Sequence, residues 1–194
     1  MSLNHIYLIR HGETAWTLNN QHTGMTDIPL TKKGEEDAAL IGKILQNLPF
    51  TKILCSPLKR ALMTCKNAGL LERAEIDPDL VEWNYEEYEG MTSAKIWEKT
   101  PHWSIFSNGA PKGESVADIS SRADLVLQKI QSAGGEIALF SHGHFLRVLA
   151  ARWLQLPAEQ GRLFTLNPSS LSILGFERTS PVIQLWNWSD KNLF

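Results

Sequence analysis

Apolar runs of five or six residues alternate along this chain with amphipathic stretches at helical spacing, and that alternation predicts α/β layers around a mainly parallel sheet. His5–Ile9 reads as a first buried strand and Thr51–Cys55 as a second. Ala74–Asp77 reads as a short third strand, and Glu136–Ser141 as a core strand after Gly134-Gly135. Between them Thr31 is placed to cap a helix whose apolar stripe is Ala38, Leu40, Ile41, Ile44, Leu45 and Leu48, closed by Pro49. Ser56-Pro57 predicts a second helix from Pro57 to about Ala68, with serine as N-cap and proline at the first helical position. Further helices are expected over Thr92–Lys99, Glu114–Ser132 and His144–Leu154. Ser169–Phe176 and Val182–Trp188 alternate as strands and close a mixed sheet. Gly12–Leu30, Asp79–Gly90 and Thr100–Gly113 are expected to be loops, and long loops in a compact domain tend to be functional.

The chemistry-bearing residues gather at three strand-to-helix junctions. The first strand ends in Arg10-His11-Gly12, the second in Ser56-Pro57-Leu58-Lys59-Arg60, and the core strand in Ser141-His142-Gly143-His144. If these strands are parallel neighbours, all three junctions lie along the sheet edge where open α/β folds bind ligands. Two arginines, two histidines and one or two helix N-termini would then form a pocket for a small dianion such as phosphate. Each residue also has a structural reading: Arg60 as a solvated helix residue, His142 as a helix cap. A zinc site from His11, His142 and His144 is disfavoured, because residues two apart on a helix do not face each other and no Cys or Asp cluster completes a ligand set.

These residues resemble the histidine phosphatase superfamily, the phosphoglycerate mutase-like fold. Arg10-His11-Gly12-Glu13-Thr14 with Trp16 and Thr23–Thr31 resembles its opening signature, and Ser56–Ala61 its second motif. Glu82 with Tyr88-Glu89-Gly90, Gly113-Glu114-Ser115 and Ser141-His142-Gly143-His144 resemble the third, fourth and last. The resemblance implies a three-layer α/β/α sandwich with a mostly parallel mixed sheet, and a single domain over residues 1–194. It implies that neutral His11 attacks a phosphoryl group to give a phosphohistidine that water hydrolyses. Arg10, Arg60 and His142 would hold the phosphoryl oxygens, and no metal or other cofactor would be required. Glu82 would be the general acid and then base. It should therefore be protonated at working pH, its pKa raised by Glu86, Glu87 and Glu89 and by desolvation against Trp83.

Thr17, Thr23, Gly24, Tyr85 and Gly143 are candidate substrate contacts. Where the family often has asparagine this chain has Thr17, whose hydroxyl donates one hydrogen bond but reaches less far. Tyr85, Trp97, Trp103 and Phe106 would be either pocket walls or lid packing, whereas His5, His22 and His102 read as surface or packing residues. Only about twenty residues separate Gly90 from Gly113, a short lid that leaves water able to reach a phosphohistidine. Within the superfamily the motifs resemble most the sugar-bisphosphatase branch, which includes sedoheptulose-1,7-bisphosphatase. The expected activity is hydrolysis of a small-molecule phosphomonoester, a sugar phosphate or bisphosphate. The alternatives are mutase-type transfer and a non-catalytic phosphate-binding module.

A net charge of −2 without basic clusters argues against nucleic acid, an anionic membrane surface or a phosphoprotein substrate. The absence of a leader-like start, and of any bilayer-length apolar run, points to a cytoplasmic protein in which Cys55 and Cys65 stay reduced. Trp186-Asn187-Trp188 and Phe194 would be core or subunit contact, in a monomer or homodimer.

Overall fold

The computed structural model describes residues 3–189, so Phe194 lies outside the described residues. Strand β1 (Leu3–Arg10) is followed by a short helix α1 (Ala15–Leu18), then α2 (Lys32–Leu45), β2 (Phe50–Cys55), α3 (Lys59–Asn67) and β3 (Glu75–Ile76). After them come α4 (Ser93–Lys99), α5 (Ile105–Asn108), α6 (Val116–Ala133), β4 (Gly135–Ser141), α7 (Gly143–Trp153), β5 (Leu171–Glu177) and β6 (Ser180–Trp188). The six strands form one sheet in the order β3-β2-β4-β1-β5-β6. The first four are mutually parallel, and β5 and β6 run antiparallel at one side. Pro181 is accommodated because β6 is the edge strand, where a missing N–H breaks no ladder.

The central strands are apolar on both faces because helices cover both. In β4, Ile137 and Leu139 join Ile6 and Leu8 of β1 against α6 and α7, through Ile119, Val126, Ile130, Phe145 and Leu149. Ala138 and Phe140, with Ile9 and Ile53, turn the other way onto Ile41 and Leu45 of α2 and Ala61 and Cys65 of α3. This period-two division of one strand between two cores is the α/β/α sandwich. Trp186 and Trp188 follow the same alternation, one packed on each core. Cys55 and Cys65 are both buried and free.

Local details depart from the sequence expectations where capping chemistry decides. The long loop after β1 contains α1, which forms because Thr14 and Thr17 make a reciprocal capping box. Within Thr100–Gly113 a further turn of helix, α5, is closed by Gly109 at φ 64°. Helix α3 starts two residues later than Ser56-Pro57 predicts. Leu58 occupies its N-cap without a side-chain hydrogen bond, while Ser56 Oγ accepts from the Leu58 N–H at 3.3 Å. Among the described residues no helix is long and apolar enough to cross a membrane.

Candidate active site

Because β2, β4 and β1 are adjacent and parallel, their C-terminal ends share one edge. Arg10 pairs with Ser141 and Cys55 with Phe140. The chain then crosses over: the His11 N–H donates to the Ser141 carbonyl and the Ser56 N–H to the Phe140 carbonyl, both at 2.9 Å. Arg10, His11, Ser56, Arg60 and His142 thereby converge. Gly12 has to be glycine for the loop to lie this way, since a Cβ there would sit 2.7 Å from the Gly34 carbonyl oxygen.

A cavity of about 370 Å³ opens at this edge. Arg10, His11 and Glu82 line it, as do Thr17, Thr23 and His144. Asn20, Gln21, His22, Ser93 and Asn167 form its polar remainder. His11 is 3 % exposed. Its Nδ1 donates to the Gly12 carbonyl at 2.8 Å, which leaves Nε2 as the basic nitrogen. Burial, followed by the fields of Arg60 and Arg10, holds the imidazole well below its usual pKa and therefore neutral. Arg10 is pulled down to about 10 by burial, against the supporting charge of Glu82. Its Nη1 donates to the Leu166 carbonyl, while Nε is buried without a hydrogen-bond partner among the described residues. The Arg10 side chain itself lines the cavity, and a guanidinium there fits an oxyanion.

Arg60 and His142 lie beneath the cavity rather than in its wall. Arg60 is fully buried and spends its donors on protein. Nη1 donates to the Thr26 carbonyl (3.0 Å), Nη2 to those of Gly24 (2.7 Å) and Thr23 (3.3 Å), and Nε to His142 Nδ1 (3.1 Å). His142 Nδ1 is therefore the acceptor and Nε2–H the donor, to Ser56 Oγ at 2.7 Å. The His142 and His11 ring centroids are 5.2 Å apart. From the other side Glu89 accepts the Gly24 and Thr26 N–H groups at 2.8 and 3.1 Å, so residues 23–26 are held between a carboxylate and a guanidinium. The neighbouring Arg122 reaches the carbonyls of Asp79, Val81 and Glu82 while paired with Glu114, and fixes the segment that carries Glu82. Nothing in the one-dimensional spacing of Arg122 signals that role.

Glu82 is not the protonated acid its acidic neighbours suggest. Burial alone would raise its carboxyl, but interactions with His144 and His142 outweigh burial and hold it well below the usual carboxylate range. Three backbone N–H groups also hold the carboxylate. Those of Trp83 and Phe145 reach Oε1, both at 2.9 Å, and that of His144 reaches Oε2 at 3.0 Å. Two of these are free amides of the first turn of α7, which favours an anion. Glu86 and Glu87 are exposed, with Glu87 paired to Lys112, and Glu89 is occupied with its amides.

The remaining candidates divide. The Thr17 hydroxyl donates to the Thr14 carbonyl at 2.9 Å within the capping box, although Thr17 also lines the cavity. Gly24, Tyr85 and Gly143 do not line it. At Gly143 a Cβ would lie 3.1 Å from Arg10 Cζ, so glycine lets α7 approach the guanidinium. Trp103 and Phe106 are buried in the core cluster and Trp97 is exposed, so all three are packing or surface residues rather than cavity walls. His22, read from sequence as surface or packing, does line the cavity. It stacks on Tyr85 at 4.9 Å, and burial and the nearby His144 pull it down to about 4.

Comparison with known proteins agrees with this geometry. Residues 6–189 match the family described as the histidine phosphatase superfamily, branch 1. An acid phosphatase of Mycobacterium tuberculosis is 42% identical over 178 residues, covering 89% of this chain and 86% of its own. A sedoheptulose 1,7-bisphosphatase of Saccharomyces cerevisiae is 34% identical over 185 residues, 79% of this chain and 68% of its own. The solved structure of the product of open reading frame Rv3214 of Mycobacterium tuberculosis superimposes with a TM-score of 0.90. It is 37% identical and covers 96% of this chain and 98% of its own.

Proposed function

The chain belongs to the histidine phosphatase superfamily and is a phosphatase, and from that premise we propose that it hydrolyses small phosphomonoesters, sugar phosphates or bisphosphates among them, through a phosphohistidine on His11. The observation that carries this reading is the orientation of His11: Nδ1 is tied to the Gly12 carbonyl, so Nε2 is left as a neutral nucleophile at the cavity beside Arg10 and Glu82. Nε2 attacks phosphorus as the ester P–O bond breaks, and Arg10, whose guanidinium lines the cavity, balances charge on the phosphoryl oxygens. Arg60 and His142 support His11 from below, with Arg60 adding positive field without donating directly to substrate in this arrangement. Glu82 supplies the proton to the departing alkoxide and later takes one from the attacking water. Since the carboxylate is ionised in the free protein, its proton arrives with substrate. A phosphate dianion placed next to it opposes its charge, and an acidic medium does the same by mass action. Sugar phosphates are favoured as substrates by the polar, largely uncharged wall of Asn20, Gln21, His22, Ser93 and Asn167 and by the likeness to a sedoheptulose bisphosphatase.

The test is phosphate release, with EDTA present, from sugar phosphates, sugar bisphosphates and phosphoglycerates by wild type and His11→Ala. Release that the substitution abolishes is the expected result. Interconversion of phosphoglycerates without release would identify a mutase instead, and inactivity in both assays would identify a binding module.

A further inference from the structure

His144 is the one histidine of the last junction that neither the nucleophile nor its support uses. Its ring lines the cavity beside Glu82, with Nδ1 3.7 Å from Glu82 Oε2. That same Nδ1 is 2.7 Å from the Tyr85 hydroxyl. Tyr85 is completely buried, and His144 Nδ1 is its hydroxyl's one hydrogen-bond partner among the described residues. A buried O–H needs an acceptor, so Tyr85 donates and Nδ1 accepts. The imidazole is thereby fixed as the Nε2–H tautomer. Nε2 makes no hydrogen bond within the protein among the described residues and is not a buried orphan, so its N–H opens on the cavity. Phe106 and Tyr85, with ring centroids 5.4 and 5.9 Å away, hold the ring in place. The ring also sits in the first turn of α7, where the helix field disfavours a cation, and burial pulls its pKa down. The group is a neutral, pre-oriented donor next to the carboxyl that protonates the leaving oxygen.

We infer that His144 is a specificity residue: its Nε2–H, oriented by Tyr85, hydrogen-bonds a hydroxyl on the carbon adjacent to the ester carbon, and so selects polyol phosphates over simple alkyl phosphates. The inference rests on the phosphatase reading above and deepens it. The cavity wall agrees with a neutral hydroxylated leaving group, because Arg10 is the one lysine or arginine among the described residues that line it. Tyr85 acts through His144 and is a positioning residue.

The experiment compares kcat/KM for glycerol 1-phosphate with that for 1-propyl phosphate, which differ in the hydroxyls and share a primary alkoxide leaving group. Asn at 144 keeps an amide near the Nδ1 position but offers nothing at Nε2, whereas Gln extends to the Nε2 position. His144→Asn is expected to lower the glycerol-to-propyl ratio by roughly three- to tenfold, the worth of one neutral hydrogen bond, and His144→Gln to restore most of it. Nitrogen-15 NMR of the ring should show the Nε2–H tautomer in wild type and a loss of that preference in Tyr85→Phe, which a purely structural tyrosine would not cause. Activity on both substrates with an unmoved ratio in His144→Asn overturns the inference alone, as does a wild-type Nδ1–H tautomer. A wild type that hydrolyses neither substrate overturns the phosphatase reading and this inference with it.

Discussion

Replacing Glu82 by glutamine separates the two things this carboxylate does. In the wild type it accepts three backbone N–H groups, two of them from the first turn of α7. Glutamine keeps one oxygen, which can serve Trp83 and Phe145, but turns an NH₂ group toward the His144 N–H. One charge-assisted bond is lost outright and two become neutral ones. With a charged bond worth about 1.5–3 kcal/mol and a neutral one about 1 kcal/mol, the substitution should cost about 2.5–7 kcal/mol. For a chain of this size that corresponds to a fall in Tm of roughly 5–28 °C, read by thermal melting at pH 7. Glu82 has its pKa lowered by folding, so its stabilisation is complete above the unfolded carboxylate value and fades as pH falls through the folded one. The gap between wild type and variant should therefore narrow below pH 4.5. Loss of the acid should slow release of alkyl phosphates by roughly 10²–10⁴-fold. Aryl phosphates, whose leaving groups need little protonation, should suffer much less. A variant that melts with wild type, or one that loses both substrate classes equally, would refute the assignment of an ionised Glu82 seated on α7 as the leaving-group acid.

Three further outcomes follow from the same geometry. Arg60→Met should orphan the carbonyls of Thr23, Gly24 and Thr26 and the His142 Nδ1, for a loss of about 3–5 kcal/mol measured by chemical denaturation; an unchanged midpoint would mean that residues 23–26 do not depend on the clamp. His11, His22, His142 and His144 all have pKa values lowered by burial, so the unfolded chain takes up protons that the folded one refuses. Stability is then complete above about pH 6.5 and falls as pH drops toward the folded values, by about 1–2 kcal/mol per histidine at pH 5; equal unfolding free energies at pH 7.5 and 5 would contradict neutral buried rings. Because His11 stays neutral in acid while the small protonated fraction of Glu82 grows in proportion to proton concentration above its lowered pKa, kcat/KM for an alkyl phosphate should rise from pH 7 toward pH 5, and a flat profile would remove Glu82 as the acid.

The layers and the site edge were legible because they follow from local rules. Runs such as Glu136–Ser141 are apolar on both faces and have to be covered on both, and Arg10, Ser56 and His142 end parallel strands that then become neighbours. What was hidden depends on partners far apart in sequence. Counting Glu86, Glu87 and Glu89 around Glu82 predicts a raised pKa, but those side chains turn to solvent, to Lys112 and to the amides of Gly24 and Thr26. The groups that set Glu82 are His144 and His142, together with the amides of residues 144 and 145, all about sixty positions away. Arg60 looks like a phosphate ligand in a first helical turn, yet three carbonyls of the loop after β1 have taken its donors. His22 reads as an ordinary loop residue until Tyr85 is placed beneath it. The short helices α1 and α5 escaped notice because a single turn has no periodicity to detect.

The most direct test of the account is to trap the covalent intermediate. Wild type mixed with a phosphomonoester, quenched in alkali within the first turnovers and digested for mass spectrometry, should carry a phosphoryl group on His11 that survives base and is lost in acid. A phosphoryl group on any other residue, or turnover with none on His11 at any quench time, would contradict it.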